Sequence, residues 1–142
     1  MKEKKIGKLT FGIIILAILL GLYFFISNQE ILPPTDIAGH IEKNPPSHIL
    51  TTPMDIRVHK HMLEHADGKD RPGVIINYNC IQFECESDLL ENLAKIVNLY
   101  PDFVYLAPYP NMTTKIAVSK YQNQITLERF NRKAIINFIE EE

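Results

Sequence analysis

Apolar and polar positions divide this chain into three stretches of different character. Leu9 to Ile26, LTFGIIILAILLGLYFFI, is eighteen residues without a charge. Wound as a helix at about 1.5 Å per residue it covers about 27 Å, close to the roughly 30 Å of a bilayer's hydrocarbon core. Residues 27–53 then carry Pro33-Pro34, Pro45-Pro46 and Pro53. Proline stops helices and removes ladder donors, so this stretch is expected to be extended. It reads either as a spacer or as an ordered arm laid along a domain through Ile37, Ile41, Ile49 and Leu50. From Met54 onwards the pattern is that of one compact domain, residues 54–142.

Within that domain the periodicities change from element to element. Val58 to Ala66 suits a helical turn or short helix, and Asp67 to Gly73 is a loop on turn chemistry. Val74 to Tyr78 reads as a buried strand. A helix is expected from about Asp88 to Tyr100, with Asp88 and Glu91 in capping-box spacing. Leu89, Leu90, Leu93, Ile96 and Val97 form its apolar stripe, and Pro101 ends it. Phe103 to Leu106 is a second strand. Lys115–Ser119 and Gln124–Leu127 suit an antiparallel pair around Tyr121-Gln122-Asn123. Asn131 to about Ile139 is a last helix with Ile135, Phe138 and Ile139 inward, and Glu140 to Glu142 are expected to fray into solvent. The order β-α-β-β-β-α is that of an α/β sandwich, compatible with a thioredoxin-like sheet lacking one crossover helix.

Charge adds an orientation to the first stretch. Lys2, Lys4, Lys5 and Lys8 precede the apolar run, opposed only by Glu3. A Lys-rich short flank favours the cytoplasm, so residues 1–8 are expected inside, 9–26 across the membrane, and the rest outside. The run ends in bulky Tyr23-Phe24-Phe25-Ile26, where signal-peptide cleavage needs small residues, so it reads as a retained anchor. Removing those four lysines and Glu3 from the fifteen basic and seventeen acidic side chains leaves eleven and sixteen, a charge of −5 on the exported part. Such a part has no electrostatic footprint for nucleic acid. The expected partners are the bilayer and a membrane protein complex.

The densest chemistry is His59-Lys60-His61-Met62-Leu63-Glu64-His65. His61 and His65, four apart, project from one face of a helix, the geometry one metal ion needs. His59 and Met62 are reserve donors, and Glu64 suits the role of an outer carboxylate orienting a histidine ring. The same spacing also fits one buried, hydrogen-bonded histidine beside solvated ones. Cys80 and Cys85 sit after a strand and before a helix, where a helix N-terminus stabilises a thiolate. A structural disulfide and metal ligation both fit them. Taken together, thiolate, imidazole and the thioethers of Met54, Met62 or Met112 form a donor set for copper(I), with zinc as the alternative. His40 and His48 join only if the arm folds back.

No glycine-rich phosphate loop precedes a helix, no nucleophile elbow occurs, and the glutamate of a zincin motif is misplaced. A catalytic role is therefore the lesser expectation.

His61, Leu63-Glu64-His65, Gly73 opening the apolar strand, and Tyr78 closing it together resemble an uncharacterised family of short membrane-anchored bacterial and archaeal proteins. Ala107-Pro108-Tyr109-Pro110 and Phe138-Ile139 resemble that family's tail. The resemblance implies location and domain limits, and no activity. In layout alone the chain is similar to Sco-type copper chaperones, which carry an extracytoplasmic thioredoxin-like domain with two cysteines and a distant histidine. The reading that follows is a membrane-held metal chaperone or accessory subunit. A thiol–disulfide redox protein and a non-catalytic subunit with a structural disulfide are the alternatives.

Overall fold

In the computed structural model, residues 3–27, 29–66 and 71–141 are described, with side chains left aside at 3–10 and 27. Helix α1 (Glu3–Ser27) is a unit by itself with Met1–Glu30, and Ile31–Glu142 forms the second compact unit. The large apolar side chains of α1 from Phe11 to Ile26 are exposed. Among the described residues no helix is long and apolar enough to cross a membrane. Those sixteen residues account for about 24 Å of helix. The basic tail expected at residues 1–8, and Leu9 of the expected span, lie outside the described side chains, as do Asp67–Asp70 of the expected loop.

The second unit is a mixed α/β domain. Its elements are α2 (Ile56–Glu64), β1 (Val74–Tyr78), α3 (Leu89–Val97), β2 (Val104–Pro108), β3 (Ile116–Lys120), β4 (Asn123–Leu127) and α4 (Arg132–Glu140). The four strands lie in the order β2-β1-β3-β4. β1 and β2 are parallel, with Ile75 beside Tyr105, and need a crossover, which α3 supplies. β3 runs antiparallel to β1 and joins β4 by a tight hairpin, Gln122 taking φ +61°.

Strand alternation sorts the core into two layers. Val74 and Ile76 of β1, Val104 and Leu106 of β2, and Ile116 and Val118 of β3 face α3 and α4, meeting Leu89, Leu93, Ile96, Ile135 and Phe138. Ile75 and Tyr105 point the other way, against Val58, Met62, Leu63 and Ala66 on and just after α2. The sheet is thus covered on both faces, which explains why its central strands read as continuous apolar runs. The expected capping box at α3 does not form. Asp88 makes no side-chain cap bond and accepts instead from Asn92 Nδ2 at 3.0 Å. Glu140 is not simply solvated, since its carboxylate accepts from the Tyr100 hydroxyl at 2.6 Å.

The proline-rich stretch is an ordered arm. Thr113 N donates to Ile31 O, and Gln122 N, in the β3–β4 turn, donates to Thr35 O. Ile37 and Ile41 pack on the α2 layer. On the far edge Ile49 bridges Leu106, with Leu106 N donating to His48 O and Leu50 N to Leu106 O. There the arm gives backbone partners to the β2 edge, while residues 33–35 are held at the β3–β4 hairpin, where Gln124 Nε2 also donates to Pro33 O at 3.1 Å.

Candidate metal centre

The arm's path brings a second set of donors to α2. Ile37 to His40 make a turn in which Gly39 takes φ +79°, a conformation that costs glycine nothing and other residues more. Lys60 of α2 holds this turn, its ammonium donating to Asp36 Oδ1 at 2.8 Å and to Ala38 O at 2.9 Å. Ile41 N donates to Arg57 O, tying the next residue to the helix. His40 and Glu42 follow the turn and come to lie against His61 and His65, which share one face of α2's last turn and its C-cap.

One ligand atom each from His40, Glu42 and His61 lies within 4.8 Å of the others. His40 Nδ1 donates to Ile37 O at 3.0 Å, and its Nε2 meets Glu42 Oε1 at 2.8 Å. The Ile37 carbonyl, then the Glu42 carboxylate, hold the His40 imidazole above its ordinary pKa, and the His40 contact holds Glu42 below its own. His61 is only 3% exposed. Its Nδ1 stands 3.5 Å from Glu42 Oε2 without hydrogen-bond geometry, and among the described residues this buried nitrogen has no hydrogen-bond partner. Among the described residues Glu64 Oε2 is likewise buried without a hydrogen bond, 3.4 Å from His40 Nδ1 and 3.6 Å from His65 Nε2. Buried polar atoms are normally satisfied, and two unsatisfied ones at one place fit a site built for a cation.

The three imidazole rings lie near one another, although His65 stands outside the group of His40, Glu42 and His61 whose ligand atoms converge. Their ring centroids are 5.5 Å (His40–His61), 5.6 Å (His61–His65) and 6.4 Å (His40–His65) apart. A zinc–nitrogen bond of about 2.0–2.1 Å puts each ring centroid about 3.2 Å from the metal, so rings about 110–120° apart are separated by about 5.2–5.5 Å. The His40–His61 and His61–His65 separations are compatible with this, and the His40–His65 separation is too long.

The other expected ligands stand elsewhere. Cys80 and Cys85 form a disulfide, so neither offers a thiolate. Asn79 shapes their loop, its Oδ1 accepting from Ile81 N and Gln82 N while its Nδ2 donates to Met112 O. Cys85 packs toward the α3–α4 layer, on the face of the sheet away from α2. Met62 and Met112 are fully buried, Met62 in the α2 layer, on which Met54 also packs. His59 is buried with its Nε2 on Pro34 O at 3.2 Å, and burial pushes its pKa down to about 4. It packs the arm and is not one of the clustered groups. His48 stacks on Tyr105 at 4.2 Å, with Nδ1 donating to Val104 O. Of the residues singled out from sequence, His61, His65 and Glu64 come together, and His40 joins them because the arm folds back. Glu42 had no mark in the sequence beyond lying two residues from His40.

A family model described as "Protein of unknown function (DUF3105)" matches residues 43–142. No curated protein and no solved structure matches the chain. The matched stretch holds His61, Glu64 and His65 and begins one residue after Glu42.

Proposed function

We propose that this chain, which belongs to the DUF3105 family of proteins of unknown function, binds one divalent metal ion through His40, Glu42, His61 and, after a small ring movement, His65. The observation that carries this reading is the convergence of arm and helix donors within 4.8 Å, with the buried His61 Nδ1 lacking a hydrogen-bond partner among the described residues. Glu64 would accept the second ring proton of His65, fixing its tautomer as outer carboxylates do. Three imidazoles and a carboxylate suit zinc first and copper(II) second. With both sulfurs in a disulfide, the donor set that favours copper(I) is lost.

The role we infer is a metal-carrying accessory or delivery module held at a membrane. The uncharged run Leu9–Ile26, the lysines before it and the exposed apolar side chains of α1 support seating that helix in a bilayer, with the domain outside and a membrane complex as partner. A disulfide accords with an exported domain. The strand order, β3 antiparallel to β1, and a cysteine pair between β1 and α3 support a thioredoxin-like sheet without a crossover helix between β2 and β3.

Metal analysis of the full chain, purified in mild detergent, tests the site. About one equivalent of zinc is expected, falling to background in His61→Ala/His65→Ala. Equal and negligible metal in both proteins, after exposure to zinc and to copper(II), would end the proposal.

A further inference from the structure

Half of the candidate ligands stand on the arm and half on α2, and this division has a mechanical consequence. We propose that the ion is a removable latch for the arm: bound metal pins residues 37–43 to α2, and its removal lets that segment lift. The inference rests on the metal-site reading above and adds a conformational role to it.

The contacts that hold this segment without an ion are few and of uneven quality. Ile37 and Ile41 bury apolar surface, and Lys60 grips Asp36 just before the turn and Ala38 O within it. Past the turn, the one backbone bond from the segment to α2 is Ile41 N to Arg57 O, and at 3.4 Å it is long. The polar side chains that face one another across the gap, His40 with Glu64 and Glu42 with His61, stand at 3.4–3.5 Å without hydrogen-bond geometry. Glu42 itself is 74% exposed. An ion drawing His40, Glu42 and His61 to bonds of about 2.0–2.2 Å would replace these marginal contacts with coordinate ones spanning arm and helix. The sides of this joint are rigidly backed. The α2 donors are fixed by a helix buried against the sheet, and the arm is held on either side of the joint, at Thr35 O by Gln122 N of the β3–β4 turn and at His48–Leu50 by the β2 edge. Residues 37–43 are therefore the part of the arm whose docking depends on the cluster.

The test is hydrogen–deuterium exchange on the full chain in detergent, stripped with chelator and then reloaded with zinc, whose binding is measured separately on the same sample. If lifting the segment breaks the site, zinc at about 100 times its Kd slows exchange of amides in 37–43 by up to about 100-fold. Peptides from the β3–β4 hairpin should change far less. Lys60→Gln removes the grip on the turn without touching a ligand, so it should speed exchange of 37–43 in the stripped protein, and zinc should restore protection. Zinc bound with no slowing in 37–43, slowing shared equally with the hairpin, or no restoration in Lys60→Gln would each overturn the latch and leave the metal site standing. Failure to bind zinc or copper(II) at all would remove the site itself and the latch with it.

Discussion

His61 Nδ1 faces Glu42 Oε2 at 3.5 Å, although the two residues are nineteen positions apart and belong to a helix and to a proline-rich arm. The relationship depends on the arm's turn, because Glu42 is placed by the chain direction set at Gly39 and by the grip of Lys60 on Asp36 and Ala38. Much of the functional reading can be tested by disturbing that placement without touching a donor.

Gly39→Ala is such a change. Nothing lies within 4 Å of the added Cβ, so the cost comes from φ +79° alone. A left-handed conformation costs a non-glycine residue about 1–2 kcal/mol. Borne by arm docking, that raises the zinc Kd by about 5- to 30-fold, with little change in the thermal midpoint of the stripped protein. Calorimetric titration beside thermal melts reads both quantities.

Gly73→Ala should act on the fold instead. A Cβ there would sit 2.3 Å from Met62 O, where α2 hands over to β1 and Gly73 N donates to that same carbonyl. The junction must open, at a cost of about 2–3 kcal/mol. A melting temperature lower by about 10 °C or more is expected in a domain of this size. An unchanged melt would show that the junction yields freely.

Cys80→Ser/Cys85→Ser separates the disulfide from the metal. A loop closed across a sequence separation of 5 contributes about 2 kcal/mol in the chain-entropy model. Urea unfolding of the double variant should show that loss, while zinc affinity stays within about twofold. Loss of zinc binding would return the sulfurs to the site.

His59 supplies a pH dependence. Burial lowers its folded pKa to about 4 from an ordinary 6.5, so the unfolded chain binds the extra proton between those values. Its contribution to stability is fully present above pH 6.5 and is lost as pH falls toward 4, on the order of 3 kcal/mol over the window. His40 has the opposite sign. Its raised pKa gives stability that is present below 6.5 and declines as pH rises past that value. Urea midpoints of metal-stripped protein should therefore drop between pH 6.5 and 4.5, and His59→Gln, which keeps a donor toward Pro34 O, should flatten the drop.

The elements that carry their own periodicity were legible from sequence. Leu89, Leu93, Ile96 and Val97 mark α3, although Leu90 of the same expected stripe is exposed; Ile135, Phe138 and Ile139 mark α4, and the strand runs place β1 to β4 within a residue or two of where they stand. The helical spacing put His61 and His65 on one face, and the structure places their rings 5.6 Å apart with Glu64 Oε2 3.6 Å from His65 Nε2. What could not be read was the arm. Its docking depends on long-range contacts, Lys60 to Asp36, His59 to Pro34 and Gln122 to Thr35, none of which has a local pattern. His40 was therefore conditional and Glu42 unmarked. The cysteine spacing fitted a disulfide and a ligand pair equally well, because pairing depends on how the loop after β1 closes. The capping box at Asp88 and Glu91 was a spacing without the backbone geometry to use it.

The central claim is that arm and helix donors meet on one ion, and it is tested most directly by zinc titration of the full chain against a chromophoric chelator, comparing the parent with His40→Ala and Glu42→Ala. Glu42 is exposed, so its removal does not threaten folding. The account predicts one zinc per chain in the parent and an affinity at least about 10-fold weaker in each arm variant. Parent-like affinity in both variants, or no zinc bound by the parent, would contradict it.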